Sequence, residues 1–159
     1  MIFQANGNVL IDHCMVMSSG SSTTLSDITN AVVSNSFIKG NVSGSTGTIF
    51  NNNIFGSTFS LVPGYGSGNF TFINFNSGIF MNFTGGSAWS YDFDLRLAPG
   101  SIGVGAATDG TDIGLFGGSE PFKEGSLPII PHIEFKSIAT HTNADGLLDV
   151  NIRVRAQTR

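Results

Sequence analysis

The sequence has very little charge and almost no cysteine: 11% of its 159 residues are charged, and Cys14 is its one cysteine. A single cysteine excludes an intramolecular disulfide and a CxxC-type metal site. Since 40% of the residues are hydrophobic, the low charge also excludes compositional disorder, which combines low hydrophobicity with high charge. The net charge of −4 argues against nucleic acid as a partner. No hydrophobic run approaches the ~18 residues of a membrane span and no signal peptide is recognisable, so we expect no membrane insertion.

The residues that are abundant predict short strands and tight turns. Residues 1–91 carry only three charges, Asp12, Asp27 and Lys39, and are dense in Asn, Ser, Thr, Gly and Phe. Asn and Gly tolerate the left-handed backbone of turns, while Ser and Thr hydrogen-bond their own turns. Because no segment of this region repeats apolar residues at helical spacing, we expect no helix there and an all-β fold.

A degenerate repeat runs through the same region. Four segments resemble one another when they are aligned on Cys14, Ser36, Asn53 and, more loosely, Phe75, at spacings of 22, 17 and 22 residues. Each segment has a short apolar strand, a polar corner and a second short strand. A period near 20 residues with two strands per period is typical of a solenoid, in which each coil buries its apolar face against the next.

Two stretches resemble known β-helix proteins. The segment Asn-Val-Leu-Ile-Asp-His-Cys-Met-Val at 8–16 is similar to the rungs of right-handed parallel β-helix proteins of the pectin-lyase-like class. The stretch Asp-Phe-Asp-Leu-Arg-Leu-Ala-Pro-Gly-Ser at 92–101, followed by Thr-Asp-Gly-Thr-Asp-Ile-Gly-Leu-Phe-Gly-Gly at 108–118, resembles the closing segment of secreted bacterial members, which ends T-D-I-G-x-x-G-G. Ile102 stands where such proteins commonly have Pro, and Val104 where Ala or Asp is usual. The resemblance spans residues 8–118 and implies the last three to four coils of a longer right-handed parallel β-helix in a secreted or cell-surface protein.

The C-terminal residues predict an antiparallel β-hairpin. Apolar and polar residues alternate strictly over 148–156, and 132–139 is the expected partner strand. Two strands alone are marginal in water, so we expect the hairpin to pack on the β-helix, at its end or along its flank. The predicted organisation is therefore a β-helix with its closing segment over 1–118, a connector over 119–131 and the hairpin over 132–159.

Asp109 and Asp112, in the sequence Asp-Gly-Thr-Asp, are weak candidates for a calcium site. Calcium takes six to eight oxygen ligands, and only two clustered carboxylates stand here, so a turn held by Asx hydrogen bonds is the favoured alternative. His13, His132 and His141 are isolated from one another, and no catalytic constellation emerges. We therefore predict no catalytic residues and no cofactor apart from this calcium candidate.

Three aromatic residues are candidates for glycan contact: Trp89, Tyr91 and Tyr65. Aromatic faces can pack against the apolar faces of sugar rings, and Trp89 and Tyr91 lie just before the closing motif. A polysaccharide or surface glycan is therefore the expected partner.

Three functions follow from these observations. The first is a non-catalytic structural or binding segment of a secreted or cell-surface bacterial protein that contacts glycans. The second is the C-terminal part of a polysaccharide lyase or glycoside hydrolase with catalytic coils upstream, so enzymatic activity stays open. The third is a self-assembling module, because an open first coil would expose Val9 and Ile11 and the unpaired strand edges to a second copy or to the rest of a longer chain.

Overall fold

The computed structural model describes residues 7–17, 23–56, 66–71, 73–75, 78–83, 90–123 and 130–156. These residues form twelve strands and no helix, so the expectation of an all-β protein is confirmed. The described part of the chain accordingly offers no helix long and apolar enough to cross a membrane. The chain divides into two compact units, residues 1–122 and residues 123–159.

Eight short strands of the first unit form three parallel sheets. The strands are β1 Leu10–Asp12, β2 Met15–Met17, β3 Thr23–Ser26, β4 Val32–Ser34, β5 Phe37–Lys39, β6 Asn41–Ser43, β7 Ile49–Asn51 and β8 Ile54–Phe55. The sheets have the orders β1-β4-β7, β2-β5-β8 and β3-β6, so consecutive strands always lie in different sheets.

The strand register confirms three of the four aligned repeats. Leu10 pairs with Val32 and Val32 with Ile49, while Met15 pairs with Phe37 and Phe37 with Ile54. These pairings place the aligned positions Cys14, Ser36 and Asn53 side by side, one residue before each second strand. The repeat also contains a third strand, β3 or β6, which the apolar pattern did not predict because these strands are largely polar.

The fourth repeat lies elsewhere than predicted. Phe70 forms an isolated parallel bridge with Ile54, so Asn69, and not Phe75, takes the position that follows Asn53. Phe75 instead packs in a different cluster, with Phe37 and Phe80. The predicted alignment of the fourth repeat was six residues too far along the chain, because the aromatic residues of 70–75 resemble those of the earlier strands.

The β2-β5-β8 sheet is buried on both faces. Ile38 and Phe55 point into one apolar cluster, which also contains Val33, Phe50 and Leu25. The alternate residues point into a second cluster, which holds Phe37, Ile54, Phe75, Ile79, Phe80, Phe83, Leu95, Ala107 and Ile113. Since neighbouring side chains on a strand point to opposite faces, this sheet separates two cores.

Residues after β8 cover the second face. Strands β9 Phe80–Asn82 and β10 Asp94–Leu97 pair antiparallel. Asp94 lies opposite Asn82 and Leu97 opposite Phe80, and the register is irregular between these two pairs. The ring of Phe80 lies 4.8 Å from that of Phe37, and the ring of Phe75 lies 5.7 Å from it. The C-terminal half of the unit therefore packs on the outer side of the sheet formed by the N-terminal half.

The outer face of the β1-β4-β7 sheet is exposed instead. Leu10, Val32 and Ile49, which are paired in register, are 68%, 37% and 44% exposed. Ile11 on the opposite face is buried among the residues of its own chain, so the expectation that its side chain is exposed at an open first coil is wrong. Val9 is half-buried.

Polar side chains also hold the interior of the first unit together. Asn53 is fully buried; its Oδ1 accepts a hydrogen bond from the Ser36 backbone N–H at 3.0 Å, and its Nδ2 donates to the Val33 carbonyl at 2.8 Å. The Ser36 hydroxyl in turn accepts from the Cys14 N–H, and the Asn69 side chain accepts from the Asn53 N–H, each at 3.0 Å. Each aligned position therefore satisfies a backbone donor of the neighbouring one.

The second unit contains the predicted hairpin. Strands β11 His132–Ile138 and β12 Val150–Arg155 pair antiparallel, as expected from the alternation of the sequence. A register shift between Ile133 and Phe135 brings Ile133 opposite Val154. The apolar face of the hairpin then carries five aliphatic side chains that are about half exposed, with Lys136 opposite Ile152 on the same face: Ile133, Ile138, Val150, Ile152 and Val154. That this hairpin packs on the first unit, predicted to be a β-helix, stays a prediction.

Candidate functional site

The site begins with three stacked corners between the first two sheets. His13, Asn35 and Asn52 adopt left-handed backbone conformations, with φ of 47°, 52° and 51°. They lie next to one another because each directly follows a strand of the β1-β4-β7 sheet, in which Asp12, Ser34 and Asn51 are paired. Asn tolerates this conformation better than most residues, which explains its recurrence here. We call these three residues the corner row.

The corner row binds a distant part of the chain, residues 98–118, which is the larger part of the closing segment predicted over 92–118; the name closing segment is used below for 98–118. The Thr108 backbone N–H donates to Asn35 Oδ1 at 2.8 Å, and Asn35 Nδ2 donates to the Thr108 hydroxyl at 2.9 Å. The Gly114 N–H donates to the Asn35 carbonyl, and Asn52 Nδ2 donates to the Ala106 carbonyl, both at 2.8 Å. These contacts join residues 54 to 79 positions apart in sequence.

Apolar contacts fix the same segment to the β2-β5-β8 sheet. Ile113 and Ala107 are buried in the cluster that contains Phe37. Gly114 lies against the Phe37 ring, where a Cβ atom would come within 2.7 Å of a ring carbon, and its φ of +98° also favours glycine. The closing segment is therefore held by hydrogen bonds to the corner row and by the burial of Ile113 and Ala107 in the apolar cluster.

His13 makes two contacts with the closing segment. Its Nδ1 lies 3.2 Å from the Gly114 carbonyl oxygen, and its Nε2 lies 3.6 Å from Asp109 Oδ2. A carbonyl can only accept, so Nδ1 carries the hydrogen in this bond. The histidine treated as isolated in the sequence thus meets residues about a hundred positions away.

Asp12 stabilises the corner row from the neighbouring strand. Its Oδ1 accepts hydrogen bonds from the Ser34 hydroxyl at 2.6 Å and from Asn35 Nδ2 at 2.9 Å. The Asn35 side chain therefore connects the carboxylate at the end of β1 to the hydroxyl of Thr108 in the closing segment. This carboxylate is used in the internal hydrogen-bond network of the fold.

The calcium candidates hold separate turns of the closing segment. Asp109 Oδ1 accepts from the Thr111 hydroxyl at 2.6 Å and from its N–H at 3.0 Å, while Asp112 Oδ1 accepts from the Gly105 N–H at 2.9 Å. The hydrogen bonds from Thr111, with a smaller contribution from nearby His13, lower the pKa of Asp109. Among the described residues, no three His, Cys, Asp or Glu side chains group as metal ligands would. The Asx-turn alternative accounts for the hydrogen bonds of Asp109.

Cys14 lies beside the corner row and faces the interior cluster of the first unit. Partial burial raises the pKa of its thiol, and the nearby Asp12 adds to this in the same direction, against the hydrogen bond that the thiol donates to the Asp12 carbonyl. A thiol whose pKa is raised holds less of the reactive thiolate at neutral pH.

Of the three glycan-contact candidates, the structure describes Tyr91. Its side chain is 95% exposed, in a turn formed with Asp92 shortly before β10. Trp89 and Tyr65 lie outside the described residues.

No protein-family model, no curated protein and no solved structure matches this chain.

Sequence reasoning identified the components of this site and missed their association. The Asn-rich corners and the closing motif were both recognised, but nothing in a linear sequence indicates that Asn35 meets Thr108, 73 positions away. One signal was present: polar residues recur at the corners without any partner nearby in sequence, and buried polar groups need partners.

Proposed function

We propose that residues 7–118 form a short right-handed parallel β-helix that ends in the closing segment. The order of the strands supports this, because β1, β2 and β3 are followed by β4, β5 and β6 in the same three sheets, and then by β7 and β8. The ladder of Cys14, Ser36, Asn53 and Asn69 supports it as well, since stacked coils place equivalent residues side by side.

We further propose that this chain is a non-catalytic structural or binding segment of a secreted or cell-surface β-helix protein. One observation carries the proposal: the polar side chains at the corner row hydrogen-bond to the protein itself. Asn35 and Asn52 hold the closing segment, and Asp12 holds Asn35. Side chains arranged in this way hold the closing segment along the side of the stacked strands, where their polar groups find partners in the protein itself.

The proposed binding partner is a polysaccharide or surface glycan. Tyr91 supports this because its side chain is 95% exposed on a turn, and tyrosine is enriched among the residues that dominate binding surfaces. Strand β10, which follows that turn, is paired with β9.

The structural part of the proposal is tested with the variant Asn35→Gly. Glycine keeps the left-handed φ but removes the hydrogen bonds to Thr108 and Asp12, so we expect residues 105–114 to exchange their amide hydrogens at least tenfold faster. Asn30→Gly is the matched control, because Asn30 is exposed and has the same φ of 52° at another corner. Equal exchange in the two variants would refute the role given to the corner row.

The binding part is tested by affinity electrophoresis in gels that contain soluble polysaccharides. Tyr91→Ala should weaken binding about tenfold, the typical loss for an aromatic anchor, whereas Tyr91→Phe should keep it. If the unaltered protein migrates identically with and without every polysaccharide tested, glycan binding is rejected while the structural role stands.

A further inference from the structure

We propose that the outer side of the β9-β10 strand pair, together with Tyr91, binds uncharged polysaccharides and excludes acidic ones. This inference rests on the proposed glycan binding, because it names the class of polymer that the same tyrosine ring binds. The surface consists of Tyr91 and the polar side chains of Asn82, Asp92, Asp94 and Arg96, on the two strands and on the turn before β10. We call it the Tyr91 surface.

Tyr91 lies at the tip of a tight turn that is fixed from below. The Phe93 N–H donates to the Ser90 carbonyl at 3.3 Å, so Tyr91 and Asp92 are the two central residues of the turn. The Asp92 N–H donates to the Ser90 hydroxyl at 3.2 Å, and that hydroxyl donates to Asp92 Oδ2 at 3.1 Å. The Phe93 ring packs on the apolar cluster, with its centroid 5.1 Å from that of Phe83. The turn is therefore anchored on its inner side, while the Tyr91 ring is in solvent.

The polar side chains of the surface lie on the outer side of the two strands. Leu95 is buried in the apolar cluster, so its neighbours Asp94 and Arg96 point to the opposite side of β10. Asp94 is paired with Asn82 on β9, and Asn82 Nδ2 donates to the Asp92 carbonyl at 3.2 Å, which joins the strands to the turn. Carboxylate, guanidinium and amide groups together supply both donors and acceptors, and sugar hydroxyls require both.

The one positive charge of the Tyr91 surface is balanced within the surface itself. Arg96 Nε donates to Asp94 Oδ1 at 2.9 Å and to Oδ2 at 3.1 Å, and Arg96 Nη2 also donates to Oδ2. This two-pronged pairing directs the guanidinium group at the Asp94 carboxylate. Asp92 adds a second carboxylate, so the net charge of the surface is negative.

The selectivity follows from this charge. An acidic polysaccharide brings its carboxylates or sulfates into contact with the negative surface, within the ~8 Å over which salt screens charges poorly, and like charges at an interface suppress binding. The rest of the unit does not offset this repulsion, since residues 1–122 contain seven acidic and two basic side chains. An uncharged polysaccharide avoids the repulsion, stacks one face of a sugar ring on the tyrosine and hydrogen-bonds through its hydroxyls.

The experiment is affinity electrophoresis of the full chain with neutral polysaccharides and acidic derivatives of the same backbone: hydroxyethylcellulose with carboxymethylcellulose, and dextran with dextran sulfate. Each protein is compared with its own mobility in a gel without polymer. We expect a neutral polymer to bind the unaltered chain at least about tenfold more tightly than its acidic derivative. Asp92→Lys makes the surface positive and should reduce this preference at least about threefold. Glu120→Lys, the same charge change on an exposed residue outside the Tyr91 surface, should keep it.

Three results would overturn the inference, and they separate it from the proposed function. Equal or tighter binding of the acidic derivatives rejects the selectivity, while glycan binding stands. The same change of preference in Asp92→Lys and Glu120→Lys assigns the selectivity to the net charge of the protein and not to the Tyr91 surface. No binding of any polymer rejects glycan binding and this inference with it. If Asp92→Lys does not fold, Asp92→Asn makes the same comparison, because asparagine removes the charge and keeps an acceptor for the Ser90 hydroxyl.

Discussion

Replacing Asn53 by alanine tests the interior ladder most directly. Asn53 is fully buried and uses its side chain three times: Oδ1 accepts from the Ser36 N–H, and Nδ2 donates to the Val33 carbonyl at 2.8 Å and to Asn69 Oδ1 at 3.1 Å. Alanine removes all three bonds and leaves the Ser36 N–H, which is itself fully buried, without its partner. The change therefore removes polar contacts from a site that water does not reach.

The expected loss follows from these three bonds. An orphaned buried donor costs about 1–3 kcal/mol, and each of the two lost Nδ2 bonds costs about 0.5–1.5 kcal/mol. The sum is about 2–6 kcal/mol, a large part of the roughly 5–15 kcal/mol that stabilises a typical domain. We therefore expect Asn53→Ala to be severely destabilised or unfolded at room temperature.

Urea unfolding monitored by circular dichroism measures this loss, with Asn51→Ala as the control. Asn51 lies two positions away, and its side chain makes one exposed hydrogen bond, to the Ser67 N–H, so its replacement should cost less than about 1 kcal/mol. Both variants should unfold with the m-value of the unaltered protein. A loss below about 1 kcal/mol for Asn53→Ala would refute the reasoning, because the buried ladder would then contribute no more than a surface contact.

Three further predictions concern the rest of the first unit. Gly114→Ala should destabilise the protein by more than about 2 kcal/mol in urea unfolding, because the added methyl group would clash with the buried ring of Phe37. Gly110→Ala is the control, since Gly110 has a φ of +78° and a Cβ atom there would meet nothing within 4 Å. It should cost about 1 kcal/mol from backbone strain alone. Cys14 should react with a thiol reagent at pH 8 at least tenfold more slowly in the folded protein than in urea, because burial raises the pKa of the thiol and restricts access to it. The hydrogen bonds from Arg96 lower the pKa of Asp94, so this pair contributes stability above about pH 4 that is lost as the pH falls further. Arg96→Gln should abolish that part of the acid dependence. The difference in an acid-unfolding titration should be no more than about 1 kcal/mol, because the pair is exposed.

The sequence predicted those parts of the fold that depend on local pattern. Strict alternation located the hairpin strands, and the recurrence of a strand, a polar corner and a second strand located β1 with β2, β4 with β5, and β7 with β8. These predictions succeeded because side-chain alternation and left-handed corners leave a signature within a few residues.

The parts that could not be predicted depend on contacts between distant residues. β3 and β6 have little apolar pattern and are positioned by pairing with each other. Phe37 and Ile54 are buried by residues that come much later in the chain, among them Phe75 and Ile113. No local pattern in the sequence indicates that these residues meet. The site could not be predicted for the same reason, because the folded chain brings Gly114 and Asp109 to His13 from about a hundred positions away.

The double-faced burial of the β2-β5-β8 sheet has a consequence for how the chain folds. Its outer face carries Met15, Phe37 and Ile54, and the residues that cover it are as late in the sequence as Leu95 and Ile113. Contacts of such high sequence separation slow folding, because a long loop must close before they form. During synthesis the early strands emerge first, and their apolar face remains exposed until the residues that bury it have been translated. A chain that stops before residue 113 would therefore be the form most prone to aggregate.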